Sequence, residues 1–257
     1  MTTVLDKELP LKLNDTYRRL RRNVSLLKQT IETGQKPLKE LYEQFESLGD
    51  VCEFAGLQRA NGVERCALFN WRATTVPMLI AAIESKLEGV DKLENLRIEE
   101  GASPHRRRQE YYLRHAVFQT VSHTFVHVHE SDPETVLKRE HRNLILLKRK
   151  FLEDLAAARR IYVFRSRERV EPAEAKALAA TLRTFGDNTL LWVSLADEPR
   201  QVGRVTRVAP GLLHGRIDAL PPLERGMDSL STHWPGILSN ALRLRQDERG
   251  RCFEGAP

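Results

Sequence analysis

Along this chain the spacing of apolar residues switches repeatedly between a helical and an extended period. Over residues 11–44, Leu13, Tyr17, Leu20, Val24, Leu27 and Ile31 recur at steps of three and four, which predicts helix. Gly34 and Pro37 divide that segment in two. From residue 44 the pattern shortens. "QFESLG" predicts a strand and "DVCEFAGLQRANG" a helix closed by Asn61-Gly62. "CALFNW" reads as a second strand, "TVPMLIAAIESKLEG" as an amphipathic helix, and "GASPHRRRQE" as an exposed loop. "HAVFQTVSHTFVHVHE" is strand-like in its later part. The long helix from residue 133 to 158 opens with Asp132 as cap and Pro133 in the first turn.

The next three segments are a strand, "RRIYVFRS", a helix, "EPAEAKALAATLRTFG", and a strand, "NTLLWVSLAD". A crossover of this length implies parallel neighbours. Asn188 falls where the helix ends and the strand begins. "GLLHGRIDAL" adds a strand and "THWPGILSNALRLRQ" a closing helix. Alternating strands and helices define an α/β class: a layered, mostly parallel sheet flanked by helices, with an N-terminal helical appendage. The expected division is 1–43 for the appendage, 44–245 for the α/β domain and 246–257 for a C-terminal tail.

Composition narrows the partners. The 257 residues carry a net charge of +6, with arginines grouped at Arg18, Arg19, Arg21 and Arg22. A cationic balance suits an anionic small molecule, peptide or glycan, while an excess this modest makes nucleic acid an unfavoured partner. The arginine group reads first as a solvated helix face. Three cysteines, Cys52, Cys66 and Cys252, form neither a paired framework nor a C-x-x-C motif, which fits a reducing cytoplasm. The first residues lack a basic stretch followed by an apolar one, and no window is long enough for a membrane span. A cytoplasmic protein is expected, and its oligomeric state is left open. The P-loop, Gly-x-Gly-x-x-Gly and Gly-x-Ser-x-Gly motifs are absent, so no cofactor is expected.

In open α/β sheets the ligand crevice lies at the carboxyl ends of strands. Ser47 to Cys52, Arg165-Ser166 and Ala196-Asp197 fall at such ends. A thiol at a helix start meets unpaired backbone N–H groups and the positive end of the helix dipole, which stabilise thiolate and an oxyanion alike. Cys52 is therefore the candidate nucleophile. The alternative is a small buried hydrophobe beside a tight turn. A base is needed, and His123, His127 and His129 alternate in "SHTFVHVHE", sharing a strand face with Phe125. One of them can act as base, all three, with Glu130 or Asp132 nearby, can form a divalent-metal site, or the strand simply carries a polar face with no ligand. Asp197 is the candidate orienter of the histidine. Ser47, Gly49, Asp50, Asn70, Trp71 and Arg165 are the candidate substrate-binding residues.

"ESLGDVCEFAGLQRANG" followed by "LFNW" resembles the bacterial proteins labelled papain-like cysteine peptidases. These carry a Ser-Leu-Gly-x-x-Cys block, a Pro-Phe-Asp-Trp-like block and a His-x-Phe block ahead of a basic helix. Here the blocks fall on Ser47-Leu48-Gly49 with Cys52, on Leu68-Phe69-Asn70-Trp71, and on His123-Thr124-Phe125. Asn70 stands where those proteins usually have aspartate. The resemblance spans roughly residues 44 to 220, selects His123 among the three histidines and implies acyl chemistry at Cys52. Many such proteins belong to polysaccharide or glycoconjugate systems. The implied activity is hydrolysis of, or acyl transfer to, a peptide or glycan. The competing class is a non-catalytic module that holds an anionic sugar or nucleotide moiety at Gly49 to Cys52.

Overall fold

Tyr162, Val163 and Phe164, like Leu190, Leu191, Trp192 and Val193, are buried at consecutive positions, so both faces of these strands are covered. Such runs belong at the centre of a parallel sheet with helices on either side. A computed structural model describes residues 38–63, 66–102, 109–219 and 231–254. In chain order, α1 (Leu38–Glu43), β1 (Phe45–Asp50) and α2 (Glu53–Ala60) come first. They are followed by β2 (Arg72–Ala73), α3 (Val76–Glu84), β3 (Leu96–Ala102), β4 (Gln109–His115) and β5 (Thr120–His127). Next come α4 (Pro133–Ala157), β6 (Ile161–Arg165), α5 (Pro172–Arg183) and β7 (Thr189–Leu195). β8 (Val205–Ala209), β9 (Leu212–Ile217) and α6 (Trp234–Glu254) complete the order.

The first sheet has the order β1-β6-β7-β9-β8. β1, β6, β7 and β9 are parallel, and β8 runs antiparallel at the edge. This is the mostly parallel, helix-flanked α/β sheet that the alternation of segments predicts. The predicted β6–α5–β7 unit forms with parallel neighbours, Ile161 paired with Thr189 and Phe164 with Trp192. Asn188 is fully buried ahead of β7, and its Nδ2 donates to Leu155 O at 2.9 Å and Leu182 O at 2.8 Å. It thus ties the ends of α4 and α5 to the start of the strand. Asp132 caps α4 as expected, accepting the Thr135 N–H at 2.9 Å.

A second, antiparallel sheet of order β2-β5-β4-β3 lies between β1 and β6 in the chain. Sequence pattern misses most of it. β3 alternates weakly, with Arg97, Glu99 and Glu100 outward, and is held to β4 by an Arg114–Glu99 ion pair at 2.8 Å. The expected loop at 101–110 supplies the ends of β3 and β4, and its residues 103–108 lie outside the described residues. "CALFNW" is not a strand. Ala67–Trp71 form turns, because Leu68 and Phe69 are both buried and Arg72 Nε, 3.0 Å from Leu68 O, fastens the turn from below. Pairing begins only at Arg72.

One core cluster joins the parts, drawing Leu48, Phe69, Leu79, Leu113, Leu144, Phe151, Tyr162, Leu178 and Leu190 from both sheets and three helices. α6 runs on to Glu254, past residue 246 where a tail was expected. The predicted helices at 11–44 and their arginine group lie outside the described residues, apart from α1. No described helix is long and apolar enough to cross a membrane.

Candidate active site

β1 ends in a turn with a left-handed glycine: Gly49 has φ +84°, and its peptide bond to Asp50 is cis. A Cβ on Gly49 would stand 2.6 Å from Arg72 O, so the turn is seated against the chain that enters β2. Ser47 is buried, and its Oγ accepts the Gly49 N–H at 3.2 Å. Expected as a substrate ligand, Ser47 instead braces the turn from inside. Asp50 is half-buried and accepts from Ser166 Oγ at 3.0 Å, which links the carboxyl ends of β1 and β6.

Cys52 stands at the N-cap of α2, where the sequence places it, and is partly exposed. Its acidity runs against the expectation from the helix dipole. Burial raises the thiol from 9.0 to about 11, and the carboxylates of Asp50 and Glu110 push the same way, while Arg167 lowers it. Loss of hydration and two negative neighbours outweigh one exposed guanidinium and the first-turn amides. At neutral pH the resting group is a thiol. Iodoacetamide at pH 7 should therefore alkylate exposed Cys66 before Cys52, and Cys52 should gain reactivity steeply as pH rises toward 11. Mass spectrometry of the modified protein reads both rates, and fast labelling of Cys52 at pH 7 would overturn the raised acidity constant.

The second sheet brings a histidine to a buried carboxylate. His123 on β5 is half-buried, and its Nδ1 lies 3.3 Å from Glu110 Oε1 on β4. The same Glu110 oxygen accepts the Phe125 N–H at 2.9 Å. Glu110 is itself buried, so this carboxylate is held from two sides. With a carboxylate at Nδ1 the proton belongs on that nitrogen, which leaves Nε2 as the acceptor of the ring. Tyr112 packs against the same ring, its centroid 4.9 Å from that of His123. Burial raises the Tyr112 phenol, and the charges of Glu110 and Cys52 add to it.

The carboxylate that meets His123 is thus Glu110. Asp197, the residue expected as orienter of the histidine, lies just past β7, two strands from β1, largely exposed and bonded to Arg216 Nη1 at 3.0 Å. Nor do the three histidines gather. The pairing of β4 with β5 shifts between Glu110 and Tyr112, and Phe125 takes a φ of +57°, which breaks the alternation that would align them. His123 goes to Glu110, while His127 and His129 stack on each other at 5.8 Å. Among the described residues no group of three His, Cys, Asp or Glu side chains is placed to hold a metal ion.

Arg165 is corrected as well. It is 2% exposed and forms a buried ion pair with Glu53, and its Nη2 donates to Ala219 O at 3.2 Å. Glu53 in turn accepts from Trp234 Nε1 at 3.0 Å. Arg165 is therefore a lock between β6, α2 and α6, out of reach of a substrate. Asn70 is buried too. Trp71 remains partly exposed and forms a T-shaped pair with Phe125 at 5.0 Å.

Glu110, Tyr112 and Arg167 carry no recognisable motif. Glu110 sits in a stretch that reads as loop, and only the register of β4 on β5 relates it to His123. No protein-family model, curated protein or solved structure matches the chain.

Proposed function

We propose that the protein performs cysteine-dependent acyl transfer or hydrolysis, with Cys52 as nucleophile, His123 as base and Glu110 as the group that orients His123. The observation that supports this most is the buried Glu110–His123 pair, fixed by the Phe125 N–H and close enough to Cys52 for its charge to act on the thiol. Because the resting thiol is protonated, Cys52 loses its proton to His123 Nε2 as Sγ attacks the acyl carbon. The imidazolium that forms is stabilised by Glu110, and first-turn amides of α2 are the nearest candidates for the oxyanion donors. The proton then passes to the leaving group, and water or an amine or hydroxyl acceptor releases the acyl group.

Incubation with an activated acyl donor such as a p-nitrophenyl ester tests this by intact mass. One acyl group should appear on Cys52, and Cys52→Ser should retain the native melting temperature and take up none, because serine needs much stronger activation. Unchanged turnover in Cys52→Ser would reject the mechanism. The competing class, a non-catalytic anion-binding module, draws on one observation: a thiol held protonated beside exposed Arg167. It gains the upper hand if the ester acylates nothing while anions protect the fold against heat.

A further inference from the structure

The helix that begins at Cys52 ends beside an aromatic group that the proposed chemistry does not use. Arg59 lies seven residues beyond Cys52, two helical turns on, so both are on one face of α2 and separated by about 10 Å along its axis. The Arg59 guanidinium lies 5.4 Å from the ring centroids of both Trp71 and Phe125. Phe125 stacks at 5.6 Å on His123, so these rings are continuous with the candidate base. Phe125 is 47% exposed and keeps its left-handed backbone because Glu110 holds its N–H. A phenylalanine with positive φ and an outward ring is costly in two ways: backbone strain and exposed apolar surface.

We propose that Arg59, Trp71 and Phe125 form a subsite for the free C-terminal carboxylate and last apolar side chain of a peptide whose scissile carbonyl meets Cys52. This rests on the acyl-transfer reading above. Arg59 is exposed and no described acidic residue pairs with it. A guanidinium laid against rings has a fixed plane and offers its N–H fork to a carboxylate, while the rings take an apolar side chain. A peptide bears all three required groups on one chain: the carbonyl, the apolar side chain and the terminal carboxylate. At about 3.3 Å per extended residue, the separation along α2 corresponds to about three residues beyond the scissile bond. In the reaction the Cys52 Sγ–acyl bond forms and the peptide C–N bond breaks. His123 passes the thiol proton to the departing amine, and the product leaves as a short peptide of about three residues. Water then cleaves the thioester and restores the thiol.

Calorimetric titration of Cys52→Ser, in which nothing can react, tests the subsite with three probes: Ala-Ala-Phe, its C-terminal amide, and digalacturonate. The free acid should bind about 10-fold more tightly than the amide. Arg59→Ala should abolish that preference without changing amide binding, Arg59→Lys should retain part of it, and Trp71→Ala should weaken both peptides. Equal binding of acid and amide, absence of peptide binding, or a preference that survives Arg59→Ala would overturn the proposal. Tighter binding of digalacturonate would do the same, and would give the subsite to an acidic glycan. Ester acylation of Cys52 is measured separately in the unsubstituted protein. Loss of that acylation with the acid preference intact would remove the chemistry and leave the subsite.

Discussion

Glu110→Gln should slow acyl transfer by roughly 10²-fold or more, the range associated with a positioned general base, while making Cys52 easier to ionise. The two effects have one origin. Glutamine keeps an oxygen to accept the Phe125 N–H, so the bulge in β5 is preserved. It removes the charge that stabilises an imidazolium at His123, and turnover falls. It also removes one of the two carboxylates that raise the Cys52 thiol, so the acidity constant of Cys52 should move down from about 11. Turnover of the ester and the pH profile of Cys52 alkylation, measured on one preparation, should therefore change in opposite senses. A purely structural Glu110 would shift the alkylation profile and leave turnover intact, which would sink its role in the mechanism.

Glu53→Ala should cost about 3–5 kcal/mol, because it leaves the Arg165 cation buried without its partner. Trp234 Nε1 loses its acceptor in the same step. Set against a total stability of about 5–15 kcal/mol, this is close to loss of the fold at body temperature. The urea midpoint should drop sharply with little change in slope. Replacing Glu53 and Arg165 together by Gln and Met should recover much of the loss, since no unpaired charge then remains. If Arg165 instead bound substrate, Glu53→Ala would change KM and leave the midpoint where it was.

The parallel sheet is legible in the sequence because its central strands are apolar throughout and its helices carry caps and prolines at their starts. Asp132 and Asn188 need no tertiary knowledge to be placed. The second sheet is hidden because its strands are half-exposed and rich in Arg and Glu, so that alternation between apolar and polar residues is weak where β3 and β4 run. That one omission determines most of what is misread at the site. Glu110 depends on the β4–β5 register, and so does the failure of His127 and His129 to join His123. Arg165 misleads for another reason. A cation at a strand end reads as a ligand-binding group, and only the packing of α6 shows that Glu53 and Trp234 enclose it. The reversed acidity of Cys52 follows first from its burial, to which Asp50, two residues away, and Glu110 on β4 add.

The order of strands also has a consequence during synthesis. β1 is made early, yet among the described residues its partner in the sheet is β6, and Asp50 waits for Ser166, 116 positions later. The hairpins of β3, β4 and β5 are local and should form ahead of that pairing, since contacts near in sequence form fastest. Until then Cys52 should behave as an ordinary cysteine, with the acidity of an open chain, while His123 already lies on the second sheet. The proposed nucleophile follows β1 and the proposed base lies on β5, so both are made before β6 completes the pairing of β1. A nascent chain cut short before residue 161 should thus carry a more acidic, more easily alkylated cysteine than the finished protein, so that the chemistry proposed for Cys52 would wait for the strand that completes this side of the sheet.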